Sequence, residues 1–294
     1  MMTTPSYLGL SGKKGLIFGL ADERSIAFGV AREARIQGAE VVATCLNDKA
    51  HLAVHPLASS IGAHLLNCNI ERIDELTSTV EQAADLLGGL DFVVHSIAWA
   101  PLSELHGAVI DTSSSGFARA MEISCHSFAT LGRLCAPHMA QGGSMITMSY
   151  LGAQEAVPHY GMMGPIKAAL ESLVRYMAVE LGPQNIRIHA VSPGPISTRA
   201  ASGIEAFDGL MNHELAKSPL GRLVTLDEIA RLNLLTNNIL ISSQLEGESN
   251  FSNKEELDFT LLTKDCVNDF SKRFPDTKII STIEEDIDLT GDPL

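Results

Sequence analysis

The chain has 294 residues, 45% of them hydrophobic, and a formal net charge of −14. That is apolar material enough for one large α/β domain or two average ones, while an acidic chain without a basic stripe repels phosphate backbones and argues against a nucleic-acid partner. No apolar run reaches the roughly 20 residues of a bilayer span, and the opening MMTTPSYLGLSGKKG has no basic region leading into an apolar secretion signal, so no membrane association and a cytoplasmic setting are expected.

Short apolar runs alternate with longer segments of helical period from about residue 13 to residue 193, as in βα units around a parallel sheet. Strands are expected at 16–18, 40–45, 64–68, 91–96, 144–148 and 186–190, several of them apolar almost throughout, as strands covered on both faces are. Helices are expected near 25–37, 49–61, 71–87, 115–139 and 160–181, with Gly38, Gly62, Gly88 and Gly182 as closing glycines. Two more helices follow near 203–217 and 226–236, the second opened by Thr225-Leu-Asp-Glu228, the pattern of a capping box. The fold class is therefore α/β, a doubly wound, three-layer Rossmann-type sheet. From Leu245 the chain turns rich in Asn, Ser, Asp and Glu and carries more than half of the net negative charge. Such a segment is expected to be loosely packed or disordered, with short elements at most at 259–262 and 277–282. The domain reading is 8–236 as the folded domain and 237–294 as an acidic tail. Five cysteines (Cys45, Cys68, Cys125, Cys135, Cys266) show no CxxC or Cys/His spacing and read as small, reduced hydrophobes, with no metal site.

Chemistry concentrates where the expected strands end, the place where open parallel sheets bind ligands. The first strand runs into Gly19-Leu-Ala-Asp-Glu-Arg-Ser25-Ile26, a turn and helix start able to cradle a pyrophosphate without the GxGxxG fingerprint. The fourth ends in His95-Ser-Ile97-Ala-Trp99-Ala100-Pro101, in which Trp99, the only tryptophan, can wall a cleft or simply pack. The fifth ends in Ser149-Tyr150, followed by Tyr160 and Lys167. Seven residues apart on one expected helix, Tyr160 and Lys167 would share a face. A phenol there can bond a developing oxyanion, and an ammonium beside it would lower its pKa and bind ribose hydroxyls. The sixth strand ends in Val-Ser-Pro-Gly-Pro-Ile196-Ser-Thr198.

Together GLADERSIAFG, HSIAWAP, SYLGA, Tyr150-x9-Tyr160-x6-Lys167 and RYMAVELGPQNIRIHAVSPGPISTRAASGI resemble, in order, the type I enoyl-acyl carrier protein reductases, a divergent branch of the short-chain dehydrogenases, over about residues 8 to 236. The resemblance implies an NADH-dependent enzyme of fatty-acid synthesis, NADPH being the less expected cofactor, that reduces the trans-2 double bond of an enoyl-acyl carrier protein or enoyl-coenzyme A. It implies that Tyr160 bonds the enolate, Lys167 the nicotinamide ribose, and that Tyr150 shapes the acyl site with Ala100, Met163 and Phe207. Gly19, Ser25 and Ile26 would contact the pyrophosphate, Asn69 and Ile70 the adenine, Ile97 the nicotinamide-side ribose, and Ile196 with Thr198 the carboxamide. A homotetramer is implied as well, and Arg199 and Arg222 are the candidates for meeting an acidic carrier protein. Ordinary short-chain dehydrogenases use Tyr-x-x-x-Lys, and Gly164 here stands in place of that lysine. Leu46 replaces a polar residue usual at the adenosine ribose, Lys49 being the nearest base, and Asn69 replaces an aspartate. Pro165 falls inside the expected helix and predicts a kink that would misplace Lys167. No Val-Asp-Gly-Gly terminal strand follows Asn237. Pro165 and the tail keep open a rival reading, a catalytically silent homologue that binds nucleotide or a partner.

Overall fold

Six apolar stretches form the parallel strands β1 (Lys14–Phe18), β2 (Glu40–Cys45), β3 (His64–Asn67), β4 (Phe92–His95), β5 (Gly143–Met148) and β6 (Ile186–Val191). They lie in one sheet in the order β3-β2-β1-β4-β5-β6. The order reverses between β1 and β4, where Gly15 is opposite Phe92 and Phe18 opposite His95, so a crevice opens beyond the carboxyl ends of these two strands. This computed structural model describes residues 9–198, 201–203, 207–234, 255–258 and 288–291.

Alternate residues of each strand point to opposite faces, and in the central strands both faces are buried, whereas edge strand β3 exposes His64 and Asn67. Leu16 and Phe18 of β1, Val93 of β4 and Met145 of β5 pack under α3 (Ile73–Leu87) and the later helices, against Leu76, Val80, Phe128, Leu131, Ile166 and Leu170. Ile17, Val41, Val94 and Ile146 turn the other way, onto α1 (Ile26–Ile36) and α2 (Asp48–Ser60), meeting Phe28, Val30, Ala34 and Val54 with Ala230 and Leu234. The expected three-layer α/β/α arrangement is the one observed.

The expected helix at 115–139 is broken. It comprises α5 (Ser114–Met121), a π turn over Glu122–His126, α6 (Ser127–Cys135) and a closing 3₁₀ turn. Short α4 (Leu102–Leu105) precedes it. After α7 (Met163–Leu181) the chain does not turn at Gly182, whose φ is −53°; the left-handed residue is Asn185, whose short amide side chain tolerates that region. Helix α8 (Phe207–Lys217) and a helical stretch over 226–234 follow. The capping box at the latter forms: Thr225 N–H donates to Glu228 Oε2 and Glu228 N–H to Thr225 Oγ1. Arg222 donates to Glu228 from both terminal nitrogens, at 2.9 and 2.7 Å, in a half-exposed ion pair. Arg199 lies outside the described residues.

The chain divides into two compact units, Met1–Ile239 and Leu240–Leu294. In the second, β7 (Glu255–Asp258) pairs antiparallel with β8 (Asp288–Gly291). The expectations of a loose tail, of elements at 259–262 and 277–282, and of a missing terminal strand fall largely outside the described residues.

Gly15 is a packing constraint at the centre of the sheet. A Cβ there would come within 2.1 Å of the Phe92 ring, which is 2% exposed and cannot move aside. Gly15→Ala is expected to destabilise the fold by about 1–3 kcal/mol, as overpacked cores do, read as a lower urea midpoint at unchanged slope.

Candidate active site

One cleft collects the ends of β1, β4, β5 and β6. The lining includes Gly19, Ser25 and Ile26 after β1, Ile97, Trp99 and Ala100 after β4, and Ser149 and Tyr150 after β5. Ile196 and Thr198 contribute after β6, and Tyr160, Met163, Lys167 and Phe207 complete it. Twelve of the fourteen expected site residues therefore meet in one place. The other two do not: Asn69 lines a neighbouring hollow with Leu46 and Asp48, and Ile70 another with Glu122 and His126. Leu46 is itself exposed.

At Gly19 the chain has φ +102°, and a Cβ would lie 2.2 Å from the Ser96 carbonyl oxygen. Only glycine lets the β1 and β4 ends approach this closely. Ser25 then caps α1: its Oγ donates to Asp22 C=O at 2.6 Å and accepts from Phe28 N–H at 3.3 Å. Its hydroxyl is committed to the helix start, which leaves the first turn's backbone N–H groups and the helix dipole as the anion-binding element.

Pro165 does not kink the helix. Helix α7 begins at Met163, not at residue 160, so Pro165 occupies its first turn, where a missing N–H breaks no intrahelical bond. In consequence Tyr160 is not on the helix with Lys167. It sits in the preceding turn between His159 and Gly161, with φ +61° and +55°, and its N–H donates to Val157 C=O at 3.2 Å. Its ring lies over Gly152, where a Cβ would come within 2.4 Å of it, and against Tyr150, with ring centroids 4.8 Å apart at 55°.

Lys167 is 3% exposed and its ammonium donates to the Met148 carbonyl at 2.7 Å. Burial lowers its pKa from 10.5 to about 8, opposed by the charges of Cys125 and Glu171. One helical turn on, Glu171 accepts from Ser149 Oγ at 2.6 Å and from Gln154 Nε2 at 3.3 Å. The expected lowering of the phenol pKa by the ammonium is not what the structure gives: burial, then Tyr150, raises that of Tyr160, and burial with Glu214 pushes Tyr150 up to about 12. Both phenols remain protonated donors near neutrality. The Tyr150 Oη is buried with no hydrogen-bond partner among the described residues, an orphan donor at the wall of the cleft.

The sequence reading missed two supporting networks. Glu171 was legible in principle, since it follows Lys167 by four residues on one helix face. His95 is fully buried between Thr147 Oγ1 at 2.8 Å and Ser127 Oγ at 2.9 Å. Ser127 Oγ donates to Ile123 C=O, so it accepts from His95 Nε2–H. Burial, followed by the charge of Lys167, lowers the His95 pKa to about 3.

The family model for enoyl-(acyl carrier protein) reductase matches residues 19–237. The chain belongs to that family. The reductase is 40% identical over 242 residues to enoyl-[acyl-carrier-protein] reductase [NADH] 1 of Rhizobium meliloti, covering 81% of this chain and 88% of that one. It is 40% identical over 222 residues to the corresponding Aquifex aeolicus NADH enzyme, covering 75% and 82%. Among solved structures, the Anaplasma phagocytophilum reductase in complex with NAD superposes with a TM-score of 0.76 at 41% identity, covering 82% of this reductase and 91% of that chain. The glycine turn at residue 19, the open start of α1 and the unpartnered Tyr150 hydroxyl fit a dinucleotide and a carbonyl substrate. No helix among the reductase's described residues is long and apolar enough to cross a membrane, and no cluster of possible metal ligands occurs among them.

Because Pro165 starts α7 and does not interrupt it, Pro165→Ala is expected to leave NADH affinity unchanged and to cost at most about 1 kcal/mol, through the freer unfolded chain. Calorimetric melting with NADH titration checks this; a gain in either quantity would reveal strain at the site.

Proposed function

We propose that the chain is an NADH-dependent enoyl-acyl carrier protein reductase of fatty-acid synthesis, acting on trans-2-enoyl thioesters of acyl carrier protein or coenzyme A. The observation that carries this reading is the meeting of Tyr150, Tyr160 and Lys167 in one cleft at the ends of the central strands. When bound, reduced NAD supplies the hydride that adds to the β-carbon. Gly19, Ile26 and the backbone at Ser25 would hold its pyrophosphate, Lys167 its nicotinamide ribose, Ile97 the ribose on the nicotinamide side, and Ile196 with Thr198 its carboxamide, while Asn69 and Ile70, which line two other hollows, would meet the adenine outside this cleft.

As the β-carbon is reduced, negative charge moves to the thioester oxygen. Tyr160, kept protonated by burial, donates a hydrogen bond to that oxygen, and its worth rises as the oxygen becomes an enolate. Tyr150 holds the acyl group against Tyr160, while Ala100, Met163 and Phe207 line the acyl pocket. Gly164, in the place of the lysine of ordinary short-chain dehydrogenases, supports alkene over ketone reduction.

A homotetramer in the cytoplasm completes the proposal. Tyr176 and Val179 on α7 are 68% and 79% exposed, apolar surface of the kind that subunit contacts cover. Cys45, Cys68, Cys125 and Cys135 are free and buried, in keeping with a reducing compartment. The rival reading of a silent homologue loses one of its two grounds with the placement of Pro165.

Oxidation of NADH by purified protein is expected to accelerate with crotonyl-coenzyme A, and Tyr160→Phe to lower kcat by about 10²–10³-fold, the range for one lost oxyanion donor. Loss of NADH absorbance no faster with the thioester than without it would sink the assignment.

The pH dependence follows from Lys167. Its charge is lost as pH rises through about 8, whereas both phenols titrate higher, so kcat/KM should fall along an alkaline limb centred near pH 8. Between about 8 and 10.5 the unfolded chain holds this proton and the folded chain does not, so the lysine's contribution to stability rises over the same window. A flat kcat/KM across it would remove the charge of Lys167 from the mechanism.

A further inference from the structure

Trp99 lines the cleft, yet it is fixed by residues outside it. Its N–H donates to Ser124 Oγ at 2.8 Å, and the Ser124 hydroxyl donates back to Trp99 C=O at 2.7 Å. Ser124 is fully buried and lies in the π turn Glu122–His126, whose extra residue shifts the helix phase and delivers this hydroxyl to the loop after β4.

The indole is held separately. The Arg119 guanidinium carbon lies 4.5 Å from the Trp99 ring centroid, while the edge of the same group makes a two-pronged bond to Glu71, from Nε at 2.8 Å and from Nη2 at 3.2 Å. A planar guanidinium can bond a carboxylate along its edge and stack on an aromatic face at the same time. Glu71 is anchored in turn, its N–H donating to Asn69 Oδ1 at 3.1 Å. An exposed ion pair contributes little by itself. Here it fixes the orientation of a group whose face carries a second contact.

We propose that Arg119 is a positioning residue which, anchored by Glu71, holds the Trp99 indole as a fixed wall of the enoyl-thioester site. The inference rests on the proposed reductase activity for its substrate and on the geometry alone for the clamp. Trp99 is 37% exposed; without the stacked cation the ring gains alternative rotamers, and substrate must order it on binding. Such a wall contacts ground state and transition state alike, so its loss raises KM and spares kcat.

The single tryptophan makes the clamp directly readable. Arg119→Ala is expected to shift Trp99 emission to the red, to increase its quenching by acrylamide, and to raise the crotonyl-coenzyme A KM about two- to fivefold at little-changed kcat, the factor a surface cation–π contact represents. Arg119→Lys, which keeps the charge but not the fork, should recover part of both effects. Glu71→Gln should move emission and KM in the same direction as Arg119→Ala, and the double variant should be no worse than Arg119→Ala alone, since the carboxylate acts through the guanidinium. Unchanged quenching in Arg119→Ala overturns the clamp, and changed quenching with an unchanged KM overturns the wall. Emission is measured without turnover, so wild-type protein that fails to reduce crotonyl-coenzyme A counts against the activity while the quenching result still decides the clamp.

Discussion

The ammonium of Lys167 is the contact on which the site depends. A charge withdrawn from water costs several kcal/mol unless strong hydrogen-bond acceptors meet it, and here the acceptor is the carbonyl of Met148. Met148 ends β5, so satisfying the charge fixes α7 against the strand that leads into Ser149 and Tyr150. Glu171, one turn further along, ties Ser149 and Gln154 to the same helix. Two side chains of one helix thus set the path of the segment that carries one tyrosine and passes beneath the other.

What the sequence revealed and what it hid divide along a physical line. Period and punctuation located the six strands and most of the helices, because strands buried on both faces must be apolar and the turns between them need glycine or a cap. Tight sites such as Gly19, and the cap at Thr225 and Glu228, were legible because they are local. The π turn at Glu122–His126 was not. Its hydrophobic spacing passes for that of a continuous helix, and the reason for the extra residue, the bond from Ser124 to Trp99, lies across a loop. Nor could local rules show that α7 opens at Met163: Pro165 reads as a break from the residues alone and as a helix start only when the bonds around Gly161 and Met162 are seen.

Placing Tyr160 in a turn instead of on the helix changes how its phenol is held. Two flanking residues in left-handed conformation, the open face of Gly152 and the ring of Tyr150 define its position. The phenol is set by packing against small residues, and helical register plays no part in it. Burial then keeps its proton in place without help from the lysine, whose charge is directed at the backbone of β5. Donor and cation therefore hold separate tasks, which the spacing of seven residues had seemed to join.

The strand order carries a consequence for synthesis. Strands β1, β2 and β3 emerge first and can pair among themselves, but the second edge of β1 belongs to β4, and the growing chain must expose that edge until Phe92–His95 has left the ribosome. An open apolar strand edge invites pairing with other chains. The cleft lies across this junction, so the binding face and a strand edge left open in the nascent protein are the same place, and a ligand bound there during folding would favour the closed seam.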